Sequence, residues 1–245
     1  MSVNDYLLRI GYLGGREPSA ANLAALMRTH RFAVPYETLD LWRGRRTTLR
    51  LDEIYDKVVT RRRGGYCFEL NGLFAWLLRE LGYNVREYFG RWLLGTDPKD
   101  VPMRRHRVIC VALPGLPNQI ADVAIGLPCM LSPLDFTFGV VQTRDGRDYR
   151  VFRDPELGAV VEVRGAKGWM RLYSFDTAQQ RPDDFEYAHW WCQTHPDSTF
   201  IHGLWIYRHL RDGGWITLAP DENPGRRKTD RWPLVLTRSD GRGKN

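Results

Sequence analysis

The chain has 245 residues, of which 43% are hydrophobic and 27% are charged, as is usual for a globular protein with a buried core. It has no long apolar run and no basic N-terminal region before an apolar stretch, so we expect neither a membrane span nor a secretory signal. Its four cysteines include no Cys-x-x-Cys pair, which argues against a zinc site or a disulfide framework and favours a cytoplasmic protein.

The net charge of +7 comes from basic residues that cluster along the chain, at positions 43–50, 61–63 and 104–107. Most clusters of this kind are solvated faces, but they would also attract a polyanionic small molecule or an acidic carrier protein. No nucleic-acid-binding motif accompanies them, so nucleic acid is not an expected partner.

The first third of the chain has helical periodicity. A short helix and turn over residues 5–15 is followed by amphipathic segments that begin at Pro18 and at Leu51. A fourth pattern, with leucine or phenylalanine at positions 70, 73, 74, 77, 78 and 81, ends at Gly82, a residue suited to a helix C-cap. We therefore expect residues 1–83 to form an all-helical unit.

After Gly82 the pattern changes to short strands separated by turn signals. The predicted strands are 85–94, 107–113, 119–126, 136–143, 148–153, 159–164 and 169–175. Such a series indicates an antiparallel barrel or sandwich over residues 84–181. A helix from Pro182, three strands (204–210, 215–218 and 232–237) and a polar, disordered tail from Ser239 are expected to follow.

Cys67 is the first candidate for chemistry, because it lies at the start of a helical pattern and directly after Gly64 and Gly65. A helix N-terminus favours a thiolate over a thiol, and two glycines allow a sharp turn that a substrate can approach. A lone cysteine is, however, more often a small buried hydrophobic residue than a nucleophile. Partners are therefore needed before a catalytic role follows.

His106 and Asp122 are candidate partners, since His106 precedes one predicted strand and Asp122 lies within the next. Adjacent antiparallel strands can bring the two side chains together. Taken separately, His106 could be one more surface base between Arg105 and Arg107, and Asp122 could be a strand carboxylate paired with an arginine.

The segment Arg63-Gly-Gly-Tyr-Cys-Phe-Glu-Leu-Asn-Gly-Leu-Phe74 resembles the nucleophile segment of the arylamine N-acetyltransferase family, which includes related amide synthases. His106 before its strand and the run Asp122-Val-Ala-Ile-Gly126 match further family motifs, and the similarity covers about residues 5–202. The resemblance implies an α+β fold: a helical bundle (1–83), an antiparallel β-barrel (84–181) and a shortened α/β lid (182–245). These would surround a cysteine-protease-like catalytic core.

The resemblance implies a triad in which Cys67 is the nucleophile, His106 the acid and base, and Asp122 the residue that orients His106. It implies a scaffold in which Glu37 pairs with Arg63 under the glycine turn and Asn71 shapes the donor cleft. The full scaffold set is Glu37, Arg63, Gly64, Gly65, Glu69 and Asn71. The implied substrate pocket consists of Tyr36, Tyr66, Phe68, Ile125 and Phe200.

By the same resemblance, an acyl group would pass through a Cys67 thioester to an aromatic amine or hydrazine in a ping-pong mechanism. The donor would be acetyl-CoA by default, or another acyl thioester, and no permanently bound cofactor or metal is expected. The expected partners are a small-molecule amine and a coenzyme A thioester or an acyl carrier protein, without a membrane. The sequence leaves the oligomeric state open.

Two departures from the family pattern keep other activities open. Ala124 and Ile125 stand where the family has Gly-Phe, and the C-terminal region is short and basic, with Arg226-Arg227-Lys228. Both give weight to an alternative function, that of a family-related amide synthase or N-acyltransferase of natural-product biosynthesis that uses a carrier-bound or longer acyl thioester. The same three catalytic candidates would also serve a thiol hydrolase or a transglutaminase-like enzyme, and a non-enzymatic binding protein is the remaining alternative.

Overall fold

The computed structural model describes residues 1–126, 130–221 and 233–239. Its N-terminal helices are α1 (Val3–Ile10), α2 (Ala20–Ala33), α3 (Leu39–Trp42), α4 (Leu51–Tyr55), a π-helical turn (Asp56–Thr60) and α5 (Cys67–Glu80). Between α2 and α3 lies the two-residue strand β1 (Tyr36–Glu37). The expectation of an all-helical unit is therefore wrong at β1, since this short segment pairs with a strand far along the chain.

The ends of the helices follow from local side chains. Ser2 and Ser19 accept hydrogen bonds from backbone N–H groups in the first turns of α1 and α2. At the start of α5, Glu69 reaches back and accepts from the Tyr66 N–H at 3.1 Å. Nearly every side chain of α5 is buried, which makes it the central helix of the molecule.

Eight antiparallel strands form the barrel. They are β2 (Asn84–Trp92), β3 (His106–Ala112), β4 (Gln119–Ile120), β5 (Leu134–Asp135), β6 (Val141–Arg144), β7 (Arg147–Asp154), β8 (Gly158–Gly165) and β9 (Gly168–Phe175). Their order is β5-β4-β3-β2-β9-β8-β7-β6. The Gln142 side chain bonds both backbone groups of Asp135, at 2.7 and 2.8 Å, and links the two ends of the sheet. The predicted antiparallel barrel is thus confirmed and is nearly closed.

The predicted strands at 119–126 and 136–143 differ from those observed. The first stops at Ile120, and the second is replaced by β5 and β6. After Ile120 the backbone is held by side chains, since Val123 N–H donates to Asn71 Oδ1 at 3.0 Å and Arg31 donates to the Ile125 carbonyl at 2.9 Å. Backbone groups satisfied in this way do not require a neighbouring strand.

The remaining chain forms a helical segment and a second sheet. A 3₁₀ turn (Pro182–Phe185) leads into α6 (Glu186–Thr194) and α7 (Thr199–His202), followed by β10 (Ile206–His209), β11 (Trp215–Pro220) and β12 (Leu234–Ser239). The sheet order is β1-β10-β11-β12. Trp232, the basic run at 226–228, Cys129 and the tail after Ser239 lie outside the described residues.

One hydrophobic core runs from the helices into the barrel. It includes Leu70 and Phe74 of α5, Val108 of β3 and Val161 of β8, all fully buried. Since the core is continuous, the division at residues 83 and 181 stays a prediction. Within the described ranges, no helix is both long and apolar enough to cross a membrane.

Candidate active site

Cys67 is the first residue of α5, where the helix dipole favours negative charge. Its side chain is buried, and Sγ donates a hydrogen bond to the Arg105 carbonyl at 3.6 Å. Burial raises the pKa of the Cys67 thiol, while a hydrogen bond from the His106 imidazole acts in the opposite direction. The His106 imidazole is therefore a neighbouring group that favours the thiolate form of Cys67.

His106 begins β3 and lies opposite Gly90 of β2. Its Nε2 is 2.5 Å from Oδ2 of Asp122, and both side chains are buried. Burial opposes protonation of His106, but the Asp122 carboxylate outweighs it and raises the pKa of His106 to about 10. Burial likewise opposes the charge on Asp122, yet His106, Asn71 and the Ala124 N–H together hold its pKa below the usual range.

The structure brings Cys67, His106 and Asp122 together: His106 bonds Asp122, and its imidazole favours the thiolate form of Cys67. The three side chains come from α5, from β3 and from the loop that follows β4. Since Nε2 of His106 is engaged with Asp122, Nδ1 is the ring nitrogen left for the thiol. The arrangement can move a proton between sulfur and nitrogen while a carboxylate stabilises the resulting imidazolium.

The glycine pair before Cys67 is required by close contacts. A Cβ on Gly64 would lie 2.1 Å from the Pro35 carbonyl oxygen, and one on Gly65 would lie 2.9 Å from Glu69 Oε2. Neither glycine is among the residues with positive φ. The two glycines therefore allow neighbouring groups to approach the backbone closely, and the expectation that they permit a sharp turn stays a prediction.

A buried ionic network supports the start of α5. Arg63 pairs with Glu37 at 2.6 Å, as expected, and with Asp40 at 3.0 Å. Lys57 pairs with Glu69 at 2.9 Å and with Asp40 at 3.0 Å. Burial disfavours the Lys57 cation, but the surrounding carboxylates outweigh it and raise its pKa.

Sequence reasoning missed Lys57 and Asp40. The available signal was a lysine three residues after Ile54 on the apolar face of the predicted helix, where a cation requires a buried partner.

Asn71 has a different position from the one expected. Its Nδ2 donates to Asp122 Oδ1 at 2.8 Å and to the Arg107 carbonyl at 2.6 Å, and its Oδ1 accepts from the Val123 N–H. The side chain is fully buried. Asn71 therefore holds the Asp122 loop, and the expectation that it shapes a donor cleft is not what its contacts show.

The five predicted pocket residues fall into two groups. Tyr36 and Phe200 are partly exposed. Tyr66, Phe68 and Ile125 are buried: Tyr66 hydrogen bonds His189 through its hydroxyl, and the Phe68 ring packs near that of Phe185. The latter three lie beneath the surface of the site, and the pocket role of the set stays a prediction.

Within residues 1–126, 130–221 and 233–239, no three His, Cys, Asp or Glu side chains are grouped in a way that could hold a metal ion.

A sequence model of a family described as N-acetyltransferase matches residues 19–230. The chain belongs to this family. The arylamine N-acetyltransferase of Escherichia coli (strain K12) is 36% identical over 217 residues, which cover 89% of this chain and 76% of that protein. The Mycolicibacterium smegmatis enzyme of the same name is 37% identical over 213 residues, or 84% and 76% of the two chains.

Solved structures of N-acetyltransferases have the same fold. The arylamine N-acetyltransferase of M. tuberculosis matches with a TM-score of 0.84 at 34% identity, covering 89% of this chain and 82% of that one. The Mycobacterium marinum enzyme in complex with CoA matches with a TM-score of 0.84 at 31% identity, covering 96% and 87%. The predicted family and α+β fold are thereby confirmed.

Proposed function

We propose that this N-acetyltransferase is an arylamine N-acetyltransferase, which moves acetyl from acetyl-CoA to an aromatic amine or hydrazine through a thioester on Cys67. The observation that carries the proposal is the buried series of Cys67, His106 and Asp122. The relatives named arylamine N-acetyltransferase support the acceptor class, and the M. marinum relative with CoA supports the donor.

In the first half-reaction, His106 takes the proton of Cys67, since Asp122 makes the imidazole strongly basic. The thiolate attacks the carbonyl carbon of acetyl-CoA, and the bond between that carbon and the CoA sulfur breaks. Backbone N–H groups in the first turn of α5 can stabilise the oxyanion. His106 then gives its proton to the departing CoA thiolate, and acetyl remains on Cys67.

In the second half-reaction, the amine nitrogen attacks the acetyl-Cys67 carbonyl carbon. His106 accepts a proton from the nitrogen as the new amide bond forms, and the bond to Sγ breaks. The Cys67 thiolate and the His106 imidazolium are thereby restored. Asp122 keeps Nε2 of His106 bonded throughout, so Nδ1 continues to face the sulfur.

The test is the intact mass of the protein after incubation with acetyl-CoA, for the wild type and for Cys67→Ala. An acetyl adduct that requires Cys67 and disappears on addition of an arylamine is the expected result. Discharge to free acetate at the same rate without amine would instead indicate a thiol hydrolase. An adduct formed only from a longer or carrier-bound thioester would indicate an amide synthase of the same family.

A further inference from the structure

Helix α6 contacts the residue that directly precedes Cys67. The Tyr66 hydroxyl bonds Nδ1 of His189, and Nε2 of His189 lies 3.0 Å from the Thr47 carbonyl oxygen. A carbonyl oxygen can only accept a hydrogen bond, so Nε2 carries the ring proton and Nδ1 accepts from Tyr66. Burial lowers the pKa of His189 and so favours the neutral ring that this pattern requires. The nucleophile side of the site is thus attached to α6.

The same helix contacts the residue that directly precedes His106. The Arg105 guanidinium carbon lies over the face of the Trp191 ring, 4.7 Å from its centroid. Trp191 also stacks on the His195 ring, at 4.6 Å and 14°, which fixes the plane of the indole. Arg105 is itself part of the site, because its carbonyl oxygen accepts from the Cys67 thiol at 3.6 Å. The side of the site that carries the base is therefore attached to α6 as well.

His189 and Trp191 lie on different faces of α6. Each residue of an α-helix is rotated by about 100° from the one before it, so side chains two positions apart point in nearly opposite directions. In agreement with this, His189 is buried and Trp191 is partly exposed. Helix α6 thus contacts the segment before Cys67 with one face and the segment before His106 with another. Its own position is fixed, since Cys192 of α6 belongs to the hydrophobic core.

We infer that α6 is a spacer that sets the separation of Cys67 and His106, with His189 and Trp191 as positioning residues for the two groups. The role of these residues in acetyl transfer rests on the proposed function. Proton transfer between sulfur and nitrogen requires hydrogen-bond distance, and a displacement of about 1 Å slows such steps strongly. Trp191 provides the cleaner test, because a partly exposed side chain can be replaced with less loss of packing than the buried His189.

The test follows alkylation of Cys67 by iodoacetamide at pH 7, measured by intact mass and corrected for the other cysteines with Cys67→Ala. Trp191→Leu removes the ring face that holds Arg105, so alkylation should slow by about 3- to 10-fold as the thiolate fraction falls. Trp191→Phe keeps an aromatic face and should restore most of the wild-type rate. Trp190→Leu, at the exposed tryptophan next to it, is the matched control and should react like the wild type.

A double-variant cycle shows whether Trp191 acts through the base. His106→Gln removes the imidazole, so the addition of Trp191→Leu to this variant should slow alkylation by less than about 2-fold further. His189→Leu removes the acceptor of the Tyr66 hydroxyl, and it should slow alkylation in the wild type and add little in the His106→Gln background.

Each outcome decides one question. Alkylation of Trp191→Leu at the wild-type rate would overturn the positioning role, even if urea denaturation showed a loss of stability. An equal slowing by Trp191→Leu with and without the His106 imidazole would also overturn it, since the effect would then be a general structural one. Iodoacetamide needs neither acetyl-CoA nor an amine. A wild type that forms no acetyl adduct would therefore overturn the proposed function, while the alkylation cycle would still decide whether α6 positions Cys67 and His106.

Discussion

Asn71 bonds one oxygen of the Asp122 carboxylate, and His106 faces the other oxygen. Oδ1 of Asp122 accepts from Asn71 at 2.8 Å and from the Ala124 N–H at 2.9 Å, while Oδ2 faces His106 at 2.5 Å. The oxygen that faces His106 is thus placed by bonds made to the other oxygen. The orientation of His106 therefore depends on Asn71 of α5, which bonds the other oxygen of Asp122.

Replacing Asn71 with Ala should therefore weaken both the site and the fold. We expect a stability loss of about 1–3 kcal/mol, because the buried Asp122 carboxylate and Val123 N–H lose their partner. Acetylation of Cys67 should slow by about 10-fold or more, as is typical for residues that orient a functional side chain. Urea denaturation and intact-mass kinetics provide the two measurements.

The control is Asn84→Ala at the exposed start of β2, which should leave both quantities unchanged. Acetylation at the wild-type rate in Asn71→Ala would show that Asp122 keeps its orientation without Asn71.

Replacing Lys57 with Met should destabilise the protein by about 3–5 kcal/mol, because the buried Glu69 would lose its cation and the buried Asp40 would keep only Arg63. The additional change Glu69→Gln removes one of these charges and should recover part of the loss. The measurement is the midpoint of urea denaturation for each variant. Lys99→Met, at an exposed lysine, serves as the matched control. A Lys57→Met protein as stable as the control would contradict a structural role for the network.

The ion pair of His106 and Asp122 predicts a pH dependence at alkaline pH. The folded pKa of His106 is raised to about 10 from 6.5, so the stabilisation is fully present below pH 6.5 and is lost as pH rises toward 10. We expect a Cys67→Ala protein to be more stable than the Cys67→Ala, Asp122→Asn double variant. The difference between their free energies of unfolding should shrink by about 1.4 kcal/mol for each pH unit in this window. Urea denaturation between pH 6 and 9 measures it, and a constant difference would show that His106 is not charged in the folded protein.

His30 predicts the opposite behaviour in acid. Burial, with Arg31 and Arg9 nearby, lowers the folded pKa of His30 to about 3, and the Tyr6 hydroxyl lies 3.0 Å from its Nδ1. Below pH 6.5 the unfolded chain therefore binds a proton that the folded chain does not, and stability falls.

The free energy of unfolding of the wild type, relative to that of His30→Gln, should thus decrease by about 1.4 kcal/mol for each pH unit below pH 6.5. Urea denaturation at pH 7.5, 6.0 and 5.0 provides the test. If the two proteins lose stability in parallel, His30 does not account for the acid sensitivity.

The parts of the fold that the sequence predicted are those with a repeating local signal. The apolar spacing after Cys67 predicted α5, and alternation bounded by turns predicted most barrel strands. Strand β1 gave no such signal, because two residues are too few to show a period. Strand β1 pairs with β10, which lies far along the chain. Next to this pair, the Trp205 N–H donates to the Thr38 hydroxyl, and 167 residues separate the two.

In the candidate site, too, local motifs were predictable from the sequence and long-range contacts were not. Cys67, His106 and Asp122 were found from short motifs, and the structure brings them together. The contacts that position them were not predictable, since Asn71 and Asp122 are 51 residues apart and nothing in the sequence pairs them. Likewise, no motif around Tyr207 indicated that its ring packs on Gly126.

The pairing of β1 with β10 also affects the order in which the chain folds during synthesis. Gly65 bonds β1 through its carbonyl, and β1 in turn needs β10, which lies in the last fifth of the sequence. During synthesis, the helices and most of the barrel would leave the ribosome before the partner of β1 has been made. The segment Gly64-Gly65, directly before Tyr66 and Cys67, would then reach its final shape among the last events of folding. An incomplete chain would thus carry Cys67 without the geometry of the folded site.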